Sequence, residues 1–233
     1  MDQQACILVV DDDADIVNAV RLYLEKEGFC VYGASDGFEA LDVLEQRTVH
    51  LILMDVMMPR MDGFSAILRI RQKRNLPILV MSAKTEDSDK VLGLSIGADD
   101  YISKPFSPTE LVARVKSHLR RYLTLGGAQS GGSLVRVGRL EYDFEAHQLT
   151  ADGEPVRLTP TETRIMELFF RSPGRVFSAE EIYAGAWGES NVYAPENTVM
   201  VHIRRIREKI ELNPKEPEYV KVVWGLGYKL EKH

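Results

Sequence analysis

Acidic, hydroxyl and amino side chains recur directly after short apolar runs in the first half of the chain. They are Asp11, Asp12, Asp55, Ser82 and Lys104. Crowded carboxylates repel one another and raise each other's pKa unless a cation neutralises them, and Mg²⁺ prefers such oxygen ligands. In that setting Asp55 can attack a phosphoryl group, while Mg²⁺ and Lys104 offset the charge on the phosphoryl oxygens. Ser82 can then hydrogen-bond the acyl phosphate that forms.

Strands and helices alternate around these residues. Apolar runs predict strands at Cys6–Val10, Phe29–Ala34, Leu51–Met54, Ile78–Met81 and Asp100–Ser103. Amphipathic stretches predict helices at Ile16–Glu27, Phe38–Glu45, Phe64–Arg71, Asp87–Ile96 and Pro108–Arg121. This order indicates an α/β fold, a doubly wound sheet of five parallel strands. Ligands bind beyond the carboxyl ends of such strands, so the polar residues should converge there.

A carboxylate at a strand end, taken alone, is more often a helix cap or a solvated loop residue. Asp13 illustrates this, because it is placed to cap the first helix, and Asp15 lies in the first turn, where a negative charge suits the helix dipole. The complete set is harder to explain in this way.

Residues 6–122 resemble the response-regulator receiver domain, which has a flavodoxin-like fold. The segments ILVVDDD, LILMDVMMPRMDG, ILVMSAK and GADDYISKPF match its motifs in order. The resemblance implies that Asp55 is the phosphoacceptor and that Asp11, Asp12, Asp55 and the backbone carbonyl of Met57 hold Mg²⁺ or Mn²⁺. It also implies that Ser82 is the switch hydroxyl, that Tyr101 is the switch aromatic, that Lys104 is the catalytic lysine and that the peptide before Pro105 is cis.

The same resemblance predicts a symmetric dimer after phosphorylation. Its cross-dimer pairs would be Lys90 with Glu110, Asp100 with Arg114, and Asp99 with Arg121. The alternative is an ordinary solvated surface, on which exposed pairs contribute under about 1 kcal/mol each.

Composition limits the other possibilities. The glycine-rich stretch TLGGAQSGGS indicates a flexible tether, so we expect a receiver domain at 1–122, a linker at 123–133 and a second domain at 134–233. Cys6 and Cys30 are the only cysteines, too few for a disulfide framework, which favours a reducing interior. With no apparent membrane span or secretion signal, a cytoplasmic protein is expected.

The second half predicts a small winged helix-turn-helix domain of α+β class. Strand candidates are Leu134–Val137, Leu140–Asp143, Gln148–Thr150 and Val156–Leu158, and a terminal hairpin spans Tyr219–Val223 and Gly227–Leu230. Helices should begin at Thr159 with Glu162 and at Ser178 with Glu181, both capping boxes, and a third should run from Pro195 to Leu212.

The third helix is the candidate DNA reader. Val199, Ile203, Ile206 and Ile210 follow the helical period and should face the core. We expect the outer side to carry Thr198, Val201, His202, Arg204, Arg205, Arg207 and Lys209. With a net charge of -6 and neither half basic, DNA contact would depend on this local cluster. A surface helix with ordinary basic side chains is the alternative.

The second half resembles the effector domain of the OmpR/PhoB family in the segments LTPTE, NTVMVHIRRIREKI and YVKVVWGLGYKLE. The sequence of both halves is similar to that of VanR-like regulators. The resemblance implies DNA contacts by Thr198, Val201, His202, Arg204, Arg205 and Arg207, with Lys221 and Lys229 meeting phosphates from the wing. Asn197 and Trp224 depart from the pattern, since arginine is frequent at both positions.

Together these features predict a phosphorylation-controlled transcription factor rather than an enzyme, although the receiver would assist its own Mg²⁺-dependent phosphotransfer and dephosphorylation. Its partners would be a sensor histidine kinase, double-stranded promoter DNA, RNA polymerase and a second copy of the chain. Two alternatives stay open: a metal-dependent phosphohydrolase with an acyl-phosphate intermediate, and a regulator that acts unphosphorylated.

Overall fold

A computed structural model describes residues 4–83, 94, 96–124, 134–188 and 195–233. The chain divides into two compact units, Met1–Tyr122 and Leu123–His233. Among the described residues, no helix combines the length and the apolar character that crossing a membrane requires.

The first unit is built on one parallel sheet of five strands in the order β2-β1-β3-β4-β5. The strands are β1 (Cys6–Val10), β2 (Cys30–Ala34), β3 (Leu51–Asp55), β4 (Ile78–Ser82) and β5 (Asp100–Ser103). β3 and β4 are buried along their whole length, as expected for strands covered on both faces. The strand order is that of flavodoxin-like folds, as predicted.

Helices cover this sheet. They are α1 (Ala14–Lys26), α2 (Gly37–Gln46), α3 (Gly63–Lys73) and α4 (Pro108–Thr124). Leu24 of α1 and Val115 of α4 pack in one core with alternate side chains of the central strands. Asp13 caps α1, as predicted, and accepts from Asp15 N at 2.9 Å. α4 continues through Thr124, so the first two residues of the predicted linker are helical. The rest of that linker, and most of the helix predicted at 87–96, lie outside the described residues.

The second unit begins with an antiparallel sheet of four strands in the order β6-β7-β8-β9. These are β6 (Leu134–Val137), β7 (Leu140–Asp143), β8 (Gln148–Ala151) and β9 (Glu154–Pro155). The predicted strand at Val156–Leu158 is wrong in position, because pairing starts directly after the tight turn at Asp152 and Gly153. Beyond β9, the Val156 N–H donates to Leu149 O at 2.9 Å.

Three helices and a hairpin complete the second unit. The elements are α5 (Pro160–Arg171), α6 (Ala179–Trp187), α7 (Pro195–Ile210), β10 (Val220–Val223) and β11 (Gly227–Leu230). Both predicted capping boxes are present, at Thr159 with Glu162 and at Ser178 with Glu181. α7 packs against α5 and α6. The order of a sheet, three helices and a hairpin among the described residues is the one predicted for a winged helix-turn-helix.

Candidate phosphoacceptor site and nucleic-acid interface

Three carboxylates converge where β1 and β3 end. The two strands are neighbours in register, with Val10 opposite Met54, so Asp11 and Asp55 leave the sheet at the same level. One ligand atom from each of Asp11, Asp12 and Asp55 lies within 4.8 Å of the others. Asp11 and Asp55 are buried, whereas Asp12 is exposed. A carboxylate set that is open to water on one side fits a hard divalent cation that keeps several of its own waters.

Lys104 joins this cluster from the loop after β5. Its Nζ lies 2.6 Å from Asp11 Oδ2 and 3.2 Å from Asp55 Oδ1. Burial raises the pKa of Asp55 above its usual value; the Lys104 charge opposes that rise and the Asp11 charge adds to it. Burial lowers the pKa of Lys104, but its hydrogen bond with Asp11 and the two carboxylate charges outweigh this and raise it. Lys104 therefore stays protonated beside the Asp11 and Asp55 carboxylates.

The loop after Asp55 depends on a glycine. A Cβ at Gly63 would stand 2.0 Å from the Asp55 carbonyl oxygen, a distance at which the backbone would have to move. Gly63 N also donates to Val56 O at 3.0 Å, and Asp62 caps α3 by accepting from Ser65 N at 2.8 Å. The Lys104–Pro105 peptide is cis, as expected. A role for the Met57 carbonyl stays a prediction.

The two expected switch residues lie on the neighbouring strands. Ser82 ends β4 and is buried, and its carbonyl accepts from Lys104 N at 2.7 Å. Tyr101 lies on β5 opposite Val80 and is half-buried. The fold thus brings Ser82 and Lys104 to the strand ends that carry the acidic cluster, while Tyr101 is set back along β5.

The charged face predicted for dimerisation is more buried than the sequence indicated. Asp99 is 0% exposed, pairs with Arg71 Nη2 at 2.6 Å and accepts from Ile78 N at 3.0 Å. Its predicted position on an exposed face is therefore wrong, because its carboxylate anchors α3 and β4 within the unit. Lys90 and the Arg121 side chain lie outside what the structure describes.

Asp100 belongs to a network that also includes a histidine missed in the sequence. Its Oδ2 lies 2.9 Å from Arg114 Nη1 and 3.2 Å from His118 Nε2, all within one chain. Burial raises the pKa of Asp100, but the Arg114 charge and the His118 hydrogen bond outweigh it and lower the pKa to about 2. Arg114 Nε also lies 3.2 Å from Glu110 Oε1, a partner that is 45% exposed. Glu110 is thus the described member of this group that solvent reaches most readily.

In the second unit, the core-facing side of α7 is confirmed and its outer side is partly wrong. Val199, Ile203, Ile206 and Ile210 are buried, as expected. Val201 and His202, which we expected on the outside, are 3% and 0% exposed. The His202 ring meets the Trp187 ring edge-on at 5.1 Å, because α7 is covered by two other helices. The exposed residues of α7 are Glu196, Asn197, Met200, Arg204 and Glu208.

A buried carboxylate organises the basic residues of α7. Glu162 is 0% exposed. Its carboxylate accepts a hydrogen bond from Thr159 N at 2.8 Å and lies 3.4 Å from Arg205 Nη2. It also pairs with Lys209. The sequence had marked Glu162 only as part of a capping box. Its second role has no local sequence signal, because the partners lie more than 40 positions away on another helix.

Most of the other residues that were predicted to contact DNA form ion pairs or hydrogen bonds within the chain. Arg204 is largely exposed, and its Nε lies 3.0 Å from Glu208 Oε1. Arg207 Nε donates to Val220 O at 2.8 Å, which ties α7 to the hairpin. Lys221 and Lys229 lie 3.6 and 3.0 Å from Glu231 Oε2. Thr198 is half-buried.

The tip of the hairpin is apolar and open to solvent. Trp224 is 88% exposed and Leu226 is 64% exposed. A Cβ at Gly227 would stand 2.0 Å from Phe177 O, so this glycine lets the hairpin approach the loop before α6. The hairpin is therefore held at its base while its tip projects.

A five-stranded receiver-type sheet with an acidic cluster, followed by a winged helix, defines a response regulator with a DNA-binding effector domain. The family model "Response regulator receiver domain" matches residues 7–116, and "Transcriptional regulatory protein, C terminal" matches residues 153–230. The chain belongs to the OmpR/PhoB family of two-component response regulators and is a transcriptional regulator.

Relatives match nearly the whole chain. The regulatory protein VanRc of Enterococcus gallinarum is 41% identical over 228 residues, which are 97% of this chain and 98% of VanRc. The uncharacterized transcriptional regulatory protein YcbL of Bacillus subtilis is 42% identical over 224 residues, covering 96% and 99%. Among solved structures, the OmpR/PhoB homolog DrrB of Thermotoga maritima is 29% identical, has a TM-score of 0.52 and covers 98% of this chain and 100% of its own. The expected similarity to VanR-type regulators is thus confirmed.

Proposed function

We propose that Asp55 accepts a phosphoryl group from a sensor histidine kinase and that this event controls DNA binding. The observation that carries the proposal is the position of Lys104 Nζ, which lies 2.6 Å from Asp11 and 3.2 Å from Asp55. The ammonium group of Lys104 in this position can stabilise the carboxylate of Asp55 and then the negative charge on the phosphoryl oxygens as the new bond forms.

In the proposed reaction, an Asp55 carboxylate oxygen attacks phosphorus. The bond from phosphorus to the donor histidine breaks, and the acyl phosphate remains on Asp55. Asp11, Asp12, Asp55 and the Met57 carbonyl would hold Mg²⁺ or Mn²⁺, which supplies positive charge to the phosphoryl oxygens. The hydroxyl of Ser82, which is buried at the end of β4, would donate a hydrogen bond to a phosphoryl oxygen of the product. Later attack by water on phosphorus would release phosphate and regenerate the Asp55 carboxylate. The receiver would thus assist both phosphotransfer and dephosphorylation.

Incubation with acetyl phosphate and Mg²⁺ tests the site. We expect one stable phosphoryl group per chain, which Asp55→Asn abolishes and Asp15→Asn, an exposed carboxylate on the first turn of α1, leaves unchanged. Rapid release of phosphate without stable labelling would favour a phosphohydrolase. Absence of labelling would favour a regulator that acts unphosphorylated.

We further propose that phosphorylation promotes a symmetric dimer through the face of β5 and α4, with Ser82 and Tyr101 changing position as the added charge draws the hydroxyl. Arg114 is a poor test residue, because its reversal would leave Asp100 beside a like charge inside the unit. Glu110→Lys alters a more exposed carboxylate, and Glu45→Lys on α2 is the matched control. If phosphorylated Glu110→Lys sediments as a dimer like the control, this face is not the interface.

The second unit would place α7 in the major groove and the hairpin beside the minor groove. We propose Thr198, Arg204, Arg205, Arg207, Lys221 and Lys229 as contacts, and we withdraw Val201 and His202 because they are buried. Breaking an exposed ion pair such as that of Arg204 with Glu208 costs little free energy, so Arg204 can contact a DNA phosphate instead. RNA polymerase would be the partner once DNA is bound.

We propose the domain boundaries 1–122 and 134–233, with 123–133 as a linker. Dimerisation of the first domain would then raise the effective concentration of the second effector domain at adjacent half-sites. DNA fragments selected by the phosphorylated protein should contain repeated half-sites. Selection of single, isolated half-sites would contradict the dimeric mode.

A further inference from the structure

The two cysteines of the chain face each other across neighbouring strands. Cys6 begins β1 and Cys30 begins β2, and they are partners in the parallel register. The chain contains no other cysteine, and both are free and half-buried. They lie at the end of the sheet opposite the acidic cluster, since Asp11 follows the last residue of β1.

The spacing of these strands permits a covalent link. Neighbouring strands lie about 4.8 Å apart, and disulfides form at Cα separations of about 4.4 to 6.8 Å. The Cys30 thiol and the Tyr32 hydroxyl are close enough to the Cys6 thiol to shift its pKa, and Cys6 Sγ donates to Gln4 O at 3.6 Å. The register pairing of Cys6 with Cys30 therefore gives a strand separation within the range that a disulfide spans.

The position of Cys30 gives an oxidant access to the pair. β2 is the edge strand of the sheet, so a small oxidant can approach Cys30 from solvent. Burial and the interaction with Cys30 raise the pKa of Cys6, while the Tyr32 hydroxyl opposes that rise. Because the thiolate is the nucleophile, we expect attack by Cys6 on an oxidant to be slow at neutral pH. Hydrogen bonds with Cys30 and Cys6 raise the pKa of Tyr32 to about 12, so this hydroxyl stays protonated and able to donate to a thiolate.

We propose that Cys6 and Cys30 form a redox modification site, at which hydrogen peroxide converts the dithiol to a disulfide linking β1 to β2. One thiolate attacks a peroxide oxygen, the O–O bond breaks, and a sulfenic acid and one water form. The second thiol then attacks the sulfenic sulfur, the S–S bond forms, and the hydroxyl leaves with a proton as a second water. Two sulfurs lose two electrons and the peroxide gains them; a cellular dithiol reverses the change by exchange.

The disulfide would close the segment that carries α1 into a loop, and so constrain the unfolded chain. Oxidised protein should therefore unfold at a higher temperature than reduced protein. The redox site does not involve Asp55, so the test of this proposal does not depend on the proposed phosphorylation.

Thiol titration and intact mass of the full chain test the proposal. After mild treatment with hydrogen peroxide, we expect both thiols of the wild-type chain to become unreactive, with a mass loss of about 2 Da for two hydrogens, and a dithiol reductant should restore both. Cys6→Ser and Cys30→Ser serve as mutual controls, and neither should show this mass loss or the rise in unfolding temperature.

Three results would overturn the proposal. They are two reactive thiols after oxidation, a gain of oxygen mass without cross-linking, and a disulfide-linked dimer on a non-reducing gel. The wild-type measurements decide the matter even if one serine variant folds poorly.

Discussion

The fully buried carboxylate of Glu162, on α5, lies 3.4 Å from the guanidinium of Arg205 on α7. The same carboxylate pairs with Lys209 and receives the Thr159 N–H that begins α5. One side chain therefore caps one helix and sets the position of the basic side chains on another. The orientation of the proposed DNA-reading helix depends on a residue that does not belong to it.

Glu162→Gln should lower the free energy of unfolding of the second unit by about 2 to 4 kcal/mol, because removing one partner leaves largely buried cations uncompensated. Urea unfolding monitored by the intrinsic fluorescence of the protein gives this value. Glu208→Gln makes the same exchange at the exposed Arg204 pair and should cost less than about 1 kcal/mol. Equal losses in the two variants would refute the organising role of Glu162.

Mg²⁺ should stabilise the first unit through the acidic cluster. At a concentration about 100 times the dissociation constant, binding to the folded state alone adds about 2.7 kcal/mol to the free energy of unfolding. Asp12→Asn removes the exposed member of the cluster and should weaken this response, whereas Asp15→Asn should keep it. Thermal unfolding with Mg²⁺ and with a chelator is the measurement. An identical Mg²⁺ response in both variants would exclude Asp12 as a ligand.

Asp100 should make stability depend on acid pH. Its pKa is about 2 in the folded chain against an ordinary value of 3.8, so its ionised form favours folding. That contribution is complete above the unfolded pKa and is lost as pH falls through the folded pKa; it amounts to about 2 kcal/mol at neutral pH.

The free-energy difference between wild type and Asp100→Asn should therefore fall by roughly half between pH 7 and pH 3. Urea unfolding at several pH values measures it. Asp42→Asn, an exposed carboxylate on α2, should show no such trend. A difference that stays constant down to pH 3 would mean that Arg114 and His118 do not favour the ionised form of Asp100.

Gly63→Ala should disturb the backbone beneath the proposed phosphoacceptor. Because the new Cβ would stand 2.0 Å from Asp55 O, we expect a loss of about 2 to 4 kcal/mol together with slower labelling by acetyl phosphate. At Gly28, where an added Cβ meets nothing within 4 Å but φ is +85°, alanine should cost about 1 kcal/mol and leave labelling unchanged. Normal labelling of Gly63→Ala would show that the loop tolerates the shift.

Trp224 should contribute to DNA affinity despite its departure from the family pattern. An apolar side chain at the tip of a wing can wedge against the sugars or bases of the minor groove. Trp224→Ala should weaken binding roughly fivefold to tenfold, about 1 kcal/mol or slightly more, without changing the dependence on salt.

Lys221→Ala should instead reduce the salt slope by about one. Fluorescence anisotropy at several salt concentrations separates the two effects, and Leu22→Ala on α1, also an exposed apolar residue, is the control. Unchanged affinity of Trp224→Ala would place the tip outside the DNA contact.

The sequence alone determined the convergence of Asp11, Asp55 and Lys104. Short apolar runs separated by amphipathic stretches leave few arrangements other than parallel strands, and their carboxyl ends meet at one edge. The helix starts at Thr159 and Ser178 were equally readable, because a capping box is a local pattern satisfied within four residues.

Only the tertiary structure decided which polar side chains are buried and with whom. Asp99 and Asp100 read as a charged surface, but Arg71 and Arg114 reach them from distant positions and allow their burial. The outer side of α7 could not be assigned, because Val201 and His202 are covered by contacts that depend on the packing of the folded domain. Local patterns follow from a few neighbouring residues, whereas burial and ion pairing depend on groups that only the folded chain brings together.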